Sequence, residues 1–403
     1  MSKNNENKLV PKLRFPEFNS KEAWELMQIA SILNAESSSL ALNKLELKQS
    51  GYAVYGADSI IGYIDTFQHK HPYISIVKDG SGVGRLNLCE SETSTLGTLS
   101  ALKSKDEKKY QIEWAYYLLN TIDFSSYVKG SGIPHIYYSD YKSQNIGVPK
   151  PDEQQKIAAC LSSLDEVITA ESQKLEVLKD HKKGLLQNLL PQAGETVPKF
   201  RFKEFENSGE WEVTELSELG YLINGLTYSP EDVRDKGLLV LRSSNIQDGL
   251  IDLKDSVYVR EDINGANLIK PKDILVCVRN GSKNLIGKNA IIPEVIPFAT
   301  HGAFMTVFRA NNPAFVFQLF QSDYYDKQVR ADLGATINSI NGKNFIKYEF
   351  PVPKNPKEQD RIAETLSSID DLIKAQNQKV EALQLHKKGL LQGLFPNLNE
   401  VIE

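Results

Sequence analysis

Two stretches of the chain, 151–191 and 356–396, carry apolar residues spaced alternately four and three apart. In the first they are Ile157, Leu161, Leu164, Ile168, Leu175, Leu178, Leu185 and Leu189; in the second, Ile362, Leu366, Ile369, Ile373, Val380, Leu383, Leu390 and Leu394. A mean spacing of 3.5 residues held this long predicts a helix that packs its apolar seam on a partner helix. Both seams break at matching places, Glu171 with Gln376 and Lys182 with Lys387. Pro151 and Pro356 stand at the predicted first turns, where a missing N–H costs nothing, with Glu153 and Glu358 where the helix dipole favours an acid. Pro191 and Pro396 end the runs. At roughly 1.5 Å per residue each helix is about 60 Å long, more than a flanking domain needs for its own core.

The stretches are copies of each other: Glu153-Gln154, Ile157-Ala158, Leu161-Ser162-Ser163-Leu164-Asp165 and His181-Lys182-Lys183-Gly184-Leu185-Leu186-Gln187 recur 205 positions later, with Ile369 in place of Leu164. A second repeat precedes each globular part. Val10-Pro11-Lys12-Leu13-Arg14-Phe15 with Trp24 returns as Val197-Pro198-Lys199-Phe200-Arg201-Phe202 with Trp211, 187 positions on. The chain is a tandem duplication whose second copy carries about 18 extra residues in surface loops between Trp211 and Glu358. The domains expected are 1–150, a helix over 151–195, 196–352, and a second helix with a tail over 353–403. Duplicated halves favour a pseudo-two-fold arrangement, which makes the helices antiparallel.

Between these landmarks the apolar residues come in short runs punctuated by Gly, Asp and Ser. Strands are predicted at Ala53–Tyr55, Ile60–Ile64, Tyr73–Val77, Leu238–Leu241, Ile274–Val278, Ala290–Ile292 and Met305–Phe308, with helices over Ile112–Leu119 and near Ala314–Tyr325. Two local matches survive between the halves. Ile76-Val77-Lys78-Asp79-Gly80-Ser81 faces Cys277-Val278-Arg279-Asn280-Gly281-Ser282, a strand running into a hairpin turn with a basic residue just before it. Gly130–Ile136 faces Gly334–Ile340, a small polar loop leading towards each long helix. The fold class is α+β: two mixed α/β domains in tandem, with two long antiparallel coiled-coil helices.

Composition is that of an ordinary globular protein, 403 residues with 41% hydrophobic and 25% charged. Cys89, Cys160 and Cys277 are far apart, which suggests neither disulfides nor a zinc knuckle. No apolar run approaches a membrane span and the first residues lack a signal-peptide core, so a cytoplasmic location is expected. A net charge of −5 argues against non-specific nucleic-acid coating but not against a local basic face. Catalytic patterns fail. Asn312-Pro313-Ala314-Phe315 lacks the second proline of the amino-methyltransferase element, and Gly281–Asn289 has the wrong spacing for a phosphate loop. Gly80-Ser81-Gly82-Val83-Gly84 reads as a turn, and His69 with His71 as a solvated loop without a third metal ligand. No enzyme activity, cofactor or metal is expected.

The loop residues suited to base edges and phosphates are Lys78, Ser81, Arg85, Lys129, Ser131, His135 and Tyr137 in the first domain. In the second they are Arg242, Ser243, Asn245, Arg279, Asn280, Lys283, His301, Asn338, Ser339, Asn341 and Lys343. His181, Lys182, Lys183 and His386, Lys387, Lys388 form basic clusters that either complement a helix C-terminus or dock another subunit. Acidic residues Asp165, Glu166, Glu171, Asp370 and Asp371 dilute any basic surface.

Taken together, the chain resembles the specificity subunit of Type I restriction-modification systems. The resemblance rests on the proline-led helix starts with Glu153-Gln154 and Ile157-Ala158, on Lys183-Gly184-Leu185-Leu186-Gln187, on their second copies and on the two loops before the helices. It implies two target recognition domains reading a bipartite, non-palindromic double-stranded DNA sequence, with the helices as a ruler. It also implies two methyltransferase subunits docked on the helices and restriction subunits in the full complex, with none of the chemistry in this chain and no membrane. A 60 Å rod suggests half-sites about one helical turn, some 10 base pairs, apart. A turn added to one helix is expected to lengthen the DNA gap by about a base pair or two. A free-standing bipartite DNA-binding regulator and a non-DNA interaction scaffold are the alternatives.

Overall fold

The computed structural model describes residues 9–130, 132–192, 194–333 and 338–397. It separates into two compact units. One takes residues 1–172 and 378–403, the other 173–377, so each long helix is shared between them.

In the first unit, strands Glu25–Gln28 and Asn145–Val148 pair antiparallel and tie the start of the globular part to its end. A four-stranded antiparallel sheet has the order Leu33–Ser37, Leu99–Ser104, Tyr73–Val77, Leu86–Cys89. Its inner strand Tyr73–Val77 is buried at every position, including Ser75, which is why that run shows no exposed polar face. A three-stranded sheet joins Ile60–Ile64 and Tyr52–Tyr55 to Ser94–Thr95, the last pair parallel. The helix Ile112–Leu119 forms as predicted, and its Trp114, Ala115, Leu118 and Leu119 enter the core with Ile74, Ile76 and Leu102. Leu394 and Phe395, from the far end of the chain, complete that core. The Phe395 ring meets Trp24 edge-on, centroids 6.1 Å apart.

The second unit repeats this plan with additions. Its four-stranded sheet has the order Gly220–Asn224, Met305–Ala310, Ile274–Cys277, Asn289–Ile291. The counterpart of the three-stranded sheet gains a strand, Val233–Arg234, and again has one parallel pair, Leu238–Leu241 with Ala299–His301. The turn over 56–59 of the first unit becomes 242–256 here and contains a hairpin, Ile246–Gln247 with Leu250–Ile251. The helix expected near Ala314–Tyr325 is two helices, Pro313–Leu319 and Asp323–Asp332. The side chains of Asn312 and Ser322 cap them separately, so the break falls at the second cap. Leu189 and Leu190, from the end of the first long helix, lie in this unit's core with Trp211, Ile362 and Leu366.

The long helices run Pro151–Leu189 and Pro356–Leu394. Ile157, Leu161, Leu175 and Leu189 are buried, and Leu164, Ile168, Leu178 and Leu185 half-buried. The second copy repeats that order, with Ile362, Leu366, Val380 and Leu394 buried and Ile369, Ile373, Leu383 and Leu390 half-buried. Within the first unit the two segments are antiparallel. Asp165 pairs with Lys387 at 2.5 Å and Glu171 with Lys379 at 2.6 Å, so pairing advances along one helix as it retreats along the other. The second unit holds the mirror pair, Lys182 with Asp370 at 2.6 Å. Among the described residues no helix is long and apolar enough to cross a membrane.

Each unit is also latched at the start of its long helix. Arg14 donates two hydrogen bonds to the carboxylate of Glu153 at 2.7 and 2.8 Å, and the Trp24 indole donates a third at 3.1 Å. Arg201, Trp211 and Glu358 repeat this at 2.7, 2.8 and 3.2 Å. The bidentate fork is buried in both copies, with Glu153 and Glu358 side chains 3% and 1% exposed. The repeats visible on either side of each domain are therefore partners in space.

Candidate nucleic-acid interface

Three segments converge at one end of the main sheet in each unit: a hairpin turn, the turn between two strands, and the loop before the long helix. In the first unit the hairpin closes through Val77 N–H to Arg85 carbonyl at 2.9 Å and Gly84 N–H to Val77 carbonyl at 2.8 Å. In the second, Cys277 N–H to Lys288 carbonyl and Gly287 N–H to Cys277 carbonyl do the same at 2.9 and 2.8 Å. Both closing glycines sit at φ +86°, a left-handed conformation in which a side chain is strained.

This bonding sets the equivalence of the turns. Lys78 and Asp79 donate to the Thr98 carbonyl, as Val278 and Arg279 donate to that of Phe304. Ile136 N–H reaches the Lys78 carbonyl at 2.8 Å and Ile340 N–H the Val278 carbonyl at 2.8 Å. Lys78 thus corresponds to Val278 and Asp79 to Arg279. The expected match of Lys78 with Arg279 is one residue out of register. Asp79 bridges to His135 and Arg279 to Ser339.

Around the first tip, Ser81 and Arg85 are exposed, with Arg85 ion-paired to Asp58. Lys129 pairs with Asp140 at 2.6 Å and shares backbone bonds with His135, whose ring lies 5.2 Å from that of the exposed Tyr137. Ser131 lies outside the described residues. Around the second, the Asn280 amide donates to the Ser243 hydroxyl at 3.0 Å and Asn338 to the Gly281 carbonyl at 3.1 Å. Arg242 is held by Asp255 at 2.8 Å. Lys283 and Lys343 are exposed, and Asn341 caps the short helix Gly342–Phe345.

Two candidates are corrected. Asn245 is fully buried, its side-chain oxygen accepting from Arg242 N–H and its amide donating to the carbonyls of Asp252 and Asp255, so it shapes the inserted loop and has nothing left for a base. His301 is also fully buried, against the Ile223 carbonyl at 3.0 Å, and burial lowers its pKa. His69, expected in a solvated loop, is buried against Tyr73 with a pKa lowered to about 4, chiefly by burial. Among the described residues no three His, Cys, Asp or Glu side chains are placed to hold a metal.

The basic helix clusters divide in the same way in both copies. His181, Lys183, His386 and Lys388 are exposed, whereas Lys182 and Lys387 face the partner helix. Lys387 also lies over the ring of Tyr117, whose hydroxyl donates to Asp165 at 2.8 Å; burial and that carboxylate raise the phenol's pKa. In the second unit the Gln318 amide takes the tyrosine's place, donating to Asp370 at 3.1 Å. Thr98 and Phe304, prominent at the tips, escaped the sequence reading because that turn shares no residue pattern between the halves.

The family model for the Type I restriction modification DNA specificity domain matches residues 21–180 and again 208–384. The chain is 26% identical over 403 residues to the specificity subunit of the Type I restriction enzyme MjaVIII from Methanocaldococcus jannaschii, covering 93% of this chain and 92% of that one. It is 30% identical over 197 residues to the EcoKI specificity subunit of Escherichia coli K12, spanning 45% of this chain and 42% of that one. The solved S subunit of a Type I restriction-modification system from M. genitalium has the same fold, with a TM-score of 0.67 at 18% identity over 96% of this chain and 99% of that one.

Proposed function

The chain belongs to the family of Type I restriction-modification DNA specificity subunits, and from that premise we propose that each unit reads one half of a bipartite double-stranded target. Members of this family recognise DNA sequence within a restriction-modification complex and are not themselves catalytic. The observation that supports two separate readers is the pair of tips. The backbone mount is the same in both, yet it presents Asp79 and Thr98 in one and Arg279 and Phe304 in the other. One mount with different side chains suits an asymmetric target, since base edges are told apart by donor, acceptor and methyl pattern.

The helices serve as spacer and as docking surface. His181, Lys183, His386 and Lys388 are free to meet a methyltransferase subunit, one at each cluster, and restriction subunits join the assembled complex. With a net charge of −5, the phosphate contacts that supply non-specific affinity come largely from those partners. Co-expression with the cognate methyltransferase subunit should give a complex that methylates adenines in a two-part motif, read by mapping methylated bases in cells with and without this gene. Absence of co-purification would sink the reading in favour of a free-standing regulator. Failure of the chain to bind DNA with or without the partner would favour a scaffold.

A further inference from the structure

We propose that Arg279 and Phe304 act as a two-residue reader in the second unit, the guanidinium taking the edge of a guanine and the ring packing on the methyl group of an adjacent thymine. This rests on the reading of the chain as a DNA specificity subunit. A lone exposed phenylalanine carries no message, but Phe304 differs in its mounting. It is 58% exposed on a turn whose backbone is pinned, its carbonyl accepting from Val278 N–H at 3.0 Å and Arg279 N–H at 3.1 Å. The turn itself is closed by Met305 N–H to the Gly302 carbonyl at 2.9 Å. The aromatic face is therefore presented to solvent by a rigid element rather than by a mobile loop.

Arg279 stands beside it, guanidinium carbon 5.7 Å from the ring centroid, a cation–π arrangement that orders a long side chain before any ligand arrives. Arg85, Arg242 and Lys129 are each paired with a carboxylate; among the described residues Arg279 has no such partner, so its donors are available. A bidentate arginine suits the O6 and N7 of guanine, and an apolar side chain suits the thymine methyl, both presented in the major groove. The equivalent mount of the first unit carries Asp79 and the exposed Thr98, which supply neither a guanidinium fork nor an aromatic ring. The pair is thus peculiar to one reader and contributes to the asymmetry of the target.

The test uses the full chain in complex with its co-expressed methyltransferase. Once the motif is mapped, each thymine of both half-sites is replaced in turn by deoxyuridine, which lacks only the methyl, and duplex binding is measured. One thymine, next to a guanine, should lose roughly fourfold in affinity on losing its methyl. With Phe304→Ala that loss should vanish, while Phe304→Leu should keep part of it. Arg279→Lys should relax discrimination at the neighbouring guanine by about tenfold or more and leave the other half-site unchanged. Should Phe304→Ala disturb both half-sites, Phe304→Leu carries the comparison. The proposal is overturned by a motif with no guanine beside a thymine, by a methyl effect that survives Phe304→Ala, or by Arg279→Lys leaving every position intact. A wild-type complex with no bipartite motif removes the underlying reading instead, and is recognised before any variant is made.

Discussion

At Glu153 and Glu358 a buried carboxylate meets a guanidinium fork and an indole N–H, leaving little unpaired. Such a group gives modest net stability when complete but costs dearly when halved, because the surviving charge stays buried. Glu153→Gln is therefore expected to lower stability by about 3–5 kcal/mol, read as a fall in thermal midpoint, and Arg14→Met combined with it should recover part of the loss. His69 supplies a pH dependence with the opposite sense to a salt-bridged histidine. Its folded pKa, about 4, lies below the ordinary histidine value, so the unfolded chain takes up the proton first. Stability present at neutral pH should decline as pH falls from about 6.5 towards 4, by roughly 3 kcal/mol once pH lies below both values, and His69→Phe should flatten that slope in denaturant titrations. The same scale shows what sequence reading cannot reach. Asn245 and His301 look like solvent-facing polar residues until their backbone partners are seen, and those partners are set by folding.

Among the elements, the long helices were the most legible, since a 3.5-residue repeat is a local property that survives without knowledge of the partner. Their antiparallel pairing followed from the duplication, but the residues that cross-link them did not, because Asp165 and Lys387 or Lys182 and Asp370 are brought together only by the fold. The seam breaks at Lys182 and Lys387 turn out to be charged cross-links, each tied to its globular part through Gln318 or Tyr117. Reversing one charge, as in Lys387→Glu, should destabilise the chain by about 1–3 kcal/mol, and adding Asp165→Lys should restore most of it. A double-mutant cycle on thermal unfolding measures the coupling, and additive losses would show that the pair does not hold the register. The hairpin tips taught the converse lesson. Lys78-Asp79-Gly80 and Arg279-Asn280-Gly281 look alike in sequence, yet hydrogen bonding aligns Lys78 with Val278.

For the whole molecule, the duplication seen in sequence is a duplication of structure, and the extra residues of the second copy go into its loops and added strands. If the units read independently, replacing Trp24–Val148 by the corresponding part of another family member should alter one half of the methylated motif and leave the other half and the gap unchanged. Methylated-base mapping decides this, and a change in both halves would mean that the readers are coupled.

Leu394, the last residue of the second long helix, and Phe395 just beyond it lie in the core of the first unit beside Trp24. The N-terminal reader is thus synthesised before the C-terminal one yet completed after it, since its interior is sealed only by residues that follow the second long helix's start by nearly forty positions. Contacts so distant in sequence slow folding and leave apolar surface uncovered during synthesis. A stop codon at position 385 should accordingly injure the N-terminal reader more than the C-terminal one. Limited proteolysis with mass mapping should find the new cleavages between residues 9 and 148 rather than between 212 and 352.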